Sequence, residues 1–177
     1  TIPSRFYNDL DYTPGGRLKW DTSKYRTKLS NLARVIDDAG FDVAGLAEGE
    51  NEAVLRDLVM TLTDDYNYIH HTSGDARGID LALLYKGDKF FPSASRLVNS
   101  GASREFLHIS GRLSGNMVDI IACHLPSNQS GRQYREKAMD PFPEVADSLI
   151  RTQSDAGLII TAALNADLSY RIFTRAL

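Results

Sequence analysis

The chain has 177 residues, 42% of them hydrophobic and 24% charged, a composition that fits one folded domain and excludes a disordered or low-complexity chain. A net charge of −3 and an isoelectric point near 5.8 exclude a globally basic polyanion binder, so any contact with nucleic acid would rest on a local patch. The longest apolar runs, residues 118–123 and 158–164, are strand-sized and fall short of the roughly 18 residues a spanning helix needs, while the single cysteine, Cys123, excludes an intrachain disulfide and leaves the compartment open.

Between residues 21 and 40 the apolar positions Leu29, Leu32, Ala33 and Ile36 recur at offsets of three, four and seven, which predicts a helix, and Gly40 supplies its stop. Residues 43–47 form a short apolar run, predicted as a strand, and Val54, Leu55, Leu58, Val59 and Leu62 mark a second helix. Residues 66–71 and 79–85 read as two strands around the turn-rich stretch 72–78, and residues 105–110 and 117–123 as a hairpin around 111–116. Residues 133–150 are helical in composition but carry Pro141 and Pro143, so a break is expected with Pro143 near the first turn of a new helix. Residues 157–164 then read as a central strand. Strand pairs mixed with amphipathic helices predict an α/β (α+β) layered domain with helices on the sheet faces, and the hairpin signals argue against a doubly wound parallel sheet.

Three polar residues each close an apolar run. Glu48 follows the strand at 43–47, and strand ends are where α/β folds hold ligands; alone it would be a helix-initiating acid, as Glu50 and Glu52 are read. His124 ends the run 118–123 and leads into Leu125, Pro126, Ser127 and Asn128, a loop whose side chains suit a phosphate oxygen or a proton transfer. Asn165 ends the run 157–164 and alone would be a turn former. Three such residues on three strands point to one site. His70, His71 and His108 lack metal-ligand spacing and read as non-catalytic. Arg132, Arg135 and Lys137 form either a phosphate-facing patch or a solvated helix face.

On these residues the sequence resembles the endonuclease/exonuclease/phosphatase superfamily with the deoxyribonuclease-I-like fold. Leu46, Ala47 and Glu48, followed by Glu50, Asn51 and an amphipathic helix, are similar to the family strand that ends in a metal-binding Glu. The stretch Asp75, Ala76, Arg77, Gly78, Ile79, Asp80, running on to Tyr85, resembles the Arg-Gly-Ile-Asp strand of bacterial members. Ile121 to Ser127, with Arg132, Arg135 and Ala138 behind, is the third match.

The resemblance implies a four-layered α/β sandwich, two sheets back to back with helices outside, and divalent-metal hydrolysis of a phosphodiester, DNA or RNA included, or of a phosphomonoester. It assigns Glu48 to Mg²⁺ or Mn²⁺, His124 to the scissile phosphate, Asn165 to the Asn of an Asp-x-Asn motif, and Arg77, Ser127 and Asn128 to the substrate side. Phe6, Tyr7 and Asn8 resemble the opening strand with its metal-site Asn, so Asn8 joins the metal set.

The sequence departs from the family at two places. The Asp-x-Asn motif reads Ala163, Leu164, Asn165, so the water-activating Asp is Ala, and Ala162 stands where Gly is usual; Asp167 is a displaced substitute. The late Asp-His pair has no counterpart among the twelve residues after Asn165. Residues 1–177 are therefore expected to be a single but incomplete domain, truncated at the C-terminal end, with a partner or further polypeptide covering an apolar sheet edge. Two functions stay open: a metal-dependent phosphoester hydrolase, and a catalytically silent phosphate- or nucleic-acid-binding module that keeps the fold without the base.

Overall fold

The computed structural model describes residues 9–49, 51–74, 80–99, 105–126, 142–152 and 155–163 and the single positions 133, 137, 138, 140 and 165. After a 3₁₀ turn, Asp9–Tyr12, helix α1 runs over Thr22–Ala39. Its limits follow from capping: Asp21 Oδ1 accepts the amide of Lys24 at 2.9 Å, and Gly40, at φ 62°, donates its own amide to the Ile36 carbonyl. Leu29, Ala33 and Ile36 are buried as their spacing predicts, while Leu32 lies at the margin of that face, 37% exposed. Helix α2, Glu52–Val59, starts at Asn51, whose side chain accepts the amide of Val54, and buries Leu55 and Leu58.

The strands form two sheets. The first has the order β1 (Val43–Gly49), β3 (Asp80–Lys86), β2 (Tyr66–His71), all antiparallel. The second has the order β4 (Phe90–Asn99), β5 (Glu105–Leu113), β6 (Asn116–His124), β7 (Gly157–Ala163), with β6 and β7 parallel. Helix α3, Phe142–Thr152, precedes β7, and Pro143 sits in its first turn, where a missing amide proton costs no helical hydrogen bond.

Strand alternation sorts the side chains into layers. Leu81 and Leu83 of β3, Leu107 and Ile109 of β5, and Val118, Ile120 and Ala122 of β6 fill the space between the sheets. On the other side of the first sheet, Ala44, Leu46, Tyr66 and Leu84 meet Leu29, Ala33 and Ile36 of α1 and Leu58 of α2. On the other side of the second, Phe106, Ile121 and Cys123 meet Phe142, Ala146 and Leu149 of α3. The result is the expected four-layered sandwich, helix, sheet, sheet, helix. Strands β3 and β6 are covered on both faces, which explains their nearly unbroken apolar runs.

Strand β4 is absent from the sequence expectation. Most of it is exposed, it carries Ser93, Ser95 and Arg96, and Pro92 lies beside a register shift, so an edge strand is written without a buried alternation. The expected hairpin loop at 111–116 contracts to Ser114 and Gly115, whose φ values of 48° and 88° match a two-residue turn twisted like its strands.

The two sheets approach closely at Gly45. A Cβ there would lie 2.5 Å from Thr161 Cγ2 and Oγ1 and 3.1 Å from Thr161 Cβ, and a β-branched side chain cannot swing clear. Gly45→Ala is expected to lower unfolding free energy by about 1–3 kcal/mol, the usual cost of overpacking. Chemical denaturation checks this, and an unchanged midpoint contradicts the contact.

Candidate functional site

Strands β1, β6 and β7 all point their C-terminal ends to one rim of the sandwich. In β1, Val43 and Ala47 face the second sheet while Ala44 and Leu46 face the helices. Simple alternation would turn Glu48 toward the helices with Leu46. Instead Glu48 has φ 64°, and the pairing with β3 shifts so that Leu46 opposes Ala82 while Gly49 opposes Asp80. Three steps on β1 thus span two on β3, the signature of a bulge, which re-aims a side chain at a strand end. A left-handed non-glycine residue costs ~1–2 kcal/mol, and such residues concentrate at functional sites.

Through this bulge the Glu48 carboxylate reaches across to the other sheet, where Oε1 lies 3.5 Å from His124 Nε2. Glu48 is 70% exposed and His124 only 8%, so a wet carboxylate meets a nearly buried imidazole. The separation suits an ion pair or a shared ligand better than a tight hydrogen bond.

Asn165 follows β7 and is also left-handed, at φ 48°, a conformation Asn tolerates. Its Nδ2 donates to the Leu125 carbonyl at 2.9 Å, and the Leu125 amide donates to the Ala163 carbonyl at 3.0 Å. The segments that leave β6 and β7 are therefore tied together, and Asn165 is fixed to Leu125, the residue that follows His124. Ala163 is the register partner of His124, so their side chains share a face. A cavity of about 190 Å³ opens there between the sheets, lined by Gly45, Ala47, Ala122, Ala162 and Ala163 among others.

Glu48, His124 and Asn165 thus gather at one rim. Asn8, Arg77, Ser127 and Asn128 lie outside the described residues, as do Arg132, Arg135 and Asp167, and Lys137 is exposed. Cys123 is buried under α3, and burial pushes its thiol up to about 12, leaving it a core side chain. Glu48 also borders a second cleft of about 340 Å³ between α1, α2 and β1, walled by Tyr12, Trp20 and Tyr25 with Lys28 over the Trp20 ring at 5.7 Å.

The donor set fits a hard divalent cation in one respect: Glu48 is an exposed carboxylate beside a phosphate-compatible imidazole and amide. Among the described residues no group of three or more His, Cys, Asp and Glu side chains gathers as a metal cage. That is compatible with Mg²⁺, which keeps several waters and uses one or two carboxylates together with substrate oxygens.

Sequence reasoning missed two buried polar pairs. His70 Nε2 donates to Asp80 Oδ2 at 2.8 Å, and the Ser73 amide donates to Asp80 Oδ1 at 2.9 Å. On the second sheet, His108 Nε2 donates to Asp119 Oδ1 at 2.7 Å, Ser110 Oγ donates to the same oxygen, and Arg96 Nε donates to His108 Nδ1. In the observed registers each His and its Asp share a face of paired strands, and the only sequence signal was that the two sit on strands expected to pair. His71 bonds Ser95 across the sheets.

The model of the endonuclease/exonuclease/phosphatase family matches residues 1–177. Among solved structures, the chain is similar to a mannosyl-6-phosphatase from Bacteroides thetaiotaomicron, at 18% identity and a TM-score of 0.72, over 86% of this chain and 62% of that one. It is also similar to D. rerio TDP2 complexed with a single-strand DNA product, at 18% identity and TM-score 0.67, over 88% and 60%. The human Nocturnin catalytic domain with bound sulfate matches at 14% identity and TM-score 0.66, over 86% and 62%. The chain therefore spans about 60% of the length of these structures, whose likeness establishes the fold. They come from a bacterium and from animals and do not single out a bacterial type. No curated protein sequence gives a significant match.

Proposed function

Because the chain belongs to the endonuclease/exonuclease/phosphatase family, we propose that it is a divalent-metal-dependent phosphoester hydrolase whose reacting end is the rim formed by Glu48, His124 and Asn165. The observation that carries this reading is the 3.5 Å approach of the Glu48 carboxylate to His124 across the two sheets, produced by a left-handed bulge at the end of β1. Phosphodiesters, nucleic acid included, and phosphomonoesters are the substrate classes. Support comes from relatives described as a phosphatase and as a protein bound to a DNA product.

In this reading Glu48 holds Mg²⁺ or Mn²⁺, which supplies Lewis acidity toward the phosphoryl oxygen and the leaving oxygen. His124, nearly buried, presents Nε2 as the donor to a phosphate oxygen on the shielded side of the rim. Asn165, tied to the Leu125 carbonyl through Nδ2, would turn the rest of its amide to the substrate or the attacking water. No described residue stands as the base for that water, because position 163 is Ala.

That alanine favours a second reading, a phosphoester-binding module without turnover. The test is hydrolysis of bis(p-nitrophenyl) phosphate and p-nitrophenyl phosphate with Mg²⁺ or Mn²⁺, before and after chelation by EDTA. Metal-restored turnover of either ester supports the hydrolase, whereas metal-dependent binding without turnover supports the module. Turnover that EDTA leaves unchanged contradicts both.

A further inference from the structure

The bulge that aims Glu48 needs a fixed neighbour, and the first sheet supplies one. Gly49, the residue after Glu48, is the register partner of Asp80, and this is the first pairing of β1 with β3 after the shift. The Asp80 carboxylate is 96% buried, and its two oxygens have separate partners, Ser73 N at 2.9 Å and His70 Nε2 at 2.8 Å. His70 lies on β2, so a line runs across the sheet from His70 through Asp80 to Gly49. The same carboxylate pins the chain at Ser73, just past the end of β2.

A buried carboxylate is costly unless its lone pairs are filled, so the position is held only while both donors stay in place. Neither His70 nor Asp80 belongs to the apolar core clusters, to which the neighbouring Leu81, Leu83 and Leu84 contribute. We propose that the His70–Asp80 pair is a positioning device that locks the register of Gly49 and thereby holds Glu48 in its left-handed, outward-reaching conformation. His70 and Asp80 do not touch the substrate; they act through the backbone. The functional consequence rests on the reading of Glu48 as the metal carboxylate, because a carboxylate free to fall back toward the helices would present its oxygens to the rim only part of the time.

The test is Mn²⁺ affinity, read by electron paramagnetic resonance on the full chain. His70→Ala removes the donor, His70→Phe removes it while keeping the ring volume in case the alanine variant does not fold, and His70→Gln restores an N–H at similar reach. The expected result is about tenfold weaker Mn²⁺ binding in the first two variants, within the range for residues that orient a metal ligand, and recovery in the third. Ile120→Val, in the opposite sheet, is the control that lowers stability without touching the pair. It is expected to keep wild-type Mn²⁺ affinity. If His70→Phe loses stability like the control and binds Mn²⁺ like the wild type, the positioning role is overturned and the pair is structural.

Glu48→Gln separates this failure from failure of the metal reading. If it leaves Mn²⁺ binding unchanged, Glu48 is not the metal carboxylate, and the positioning claim is then decided on the backbone alone. In that case the Glu48 amide-to-Hα coupling and the exchange rate of the Gly49 amide are compared between wild type and His70→Phe. A lost left-handed coupling and faster exchange support the lock, while identical values overturn it.

Discussion

Glu48→Gln is expected to lower metal-dependent turnover by about 10²–10³-fold while leaving unfolding free energy within about 0.5 kcal/mol of wild type. The first figure follows from the several kcal/mol of charge stabilisation that a catalytic metal supplies, at a factor of ten for every ~1.4 kcal/mol. The second follows from exposure: the side chain is 70% accessible, and the amide keeps its size, its reach and the backbone it stands on. Steady-state kinetics over a Mg²⁺ or Mn²⁺ titration, beside a denaturation curve, separates the two. Equal losses of activity and stability would make Glu48 a structural residue of the bulge.

The second large effect is a gain. Ala163 faces the same side as its register partner His124, and it lines a cavity of about 190 Å³ whose other walls are mainly small side chains, so a carboxylate fits without displacing the core. If the absence of a water-activating group limits the chain, Ala163→Asp is expected to raise turnover by about 10²–10⁴-fold, the usual contribution of a positioned base. The rise should appear in kcat rather than in KM, because the ground-state contacts of Glu48, His124 and Asn165 are untouched. A variant that folds, binds the phosphoester and turns it over no faster favours the silent module instead. The pairing of Ala163 with His124 makes this outcome readable, since a carboxylate on any other face of β7 would not reach the rim.

How much of this was legible in the sequence depends on whether the signal was local. Helix α1 could be read almost to the residue because both of its stops are local, Asp21 at one end and Gly40 at the other. The rim residues could be found because each terminates an apolar strand. What the sequence hid was their aim. Glu48 has no glycine-like mark to announce φ 64°, and the bulge exists only in the pairing of β1 with β3. Strand β4 was invisible for a related reason: an exposed edge strand with Pro92, Ser93 and Ser95 has no hydrophobic alternation to report. The His70–Asp80 and His108–Asp119 pairs depend on strand register, which the expected strand pairs left open.

In the proposed function Glu48, His124 and Asn165 form one metal and phosphate site. Paramagnetic broadening by substoichiometric Mn²⁺ tests it most directly, read on the imidazole protons of His124 and the side-chain amide of Asn165. These lines and the Glu48 amide are expected to broaden first and together at substoichiometric Mn²⁺, and Glu48→Gln is expected to remove the effect. Broadening scattered over other carboxylates, with the His124 and Asn165 signals unaffected or equally affected in Glu48→Gln, would contradict it.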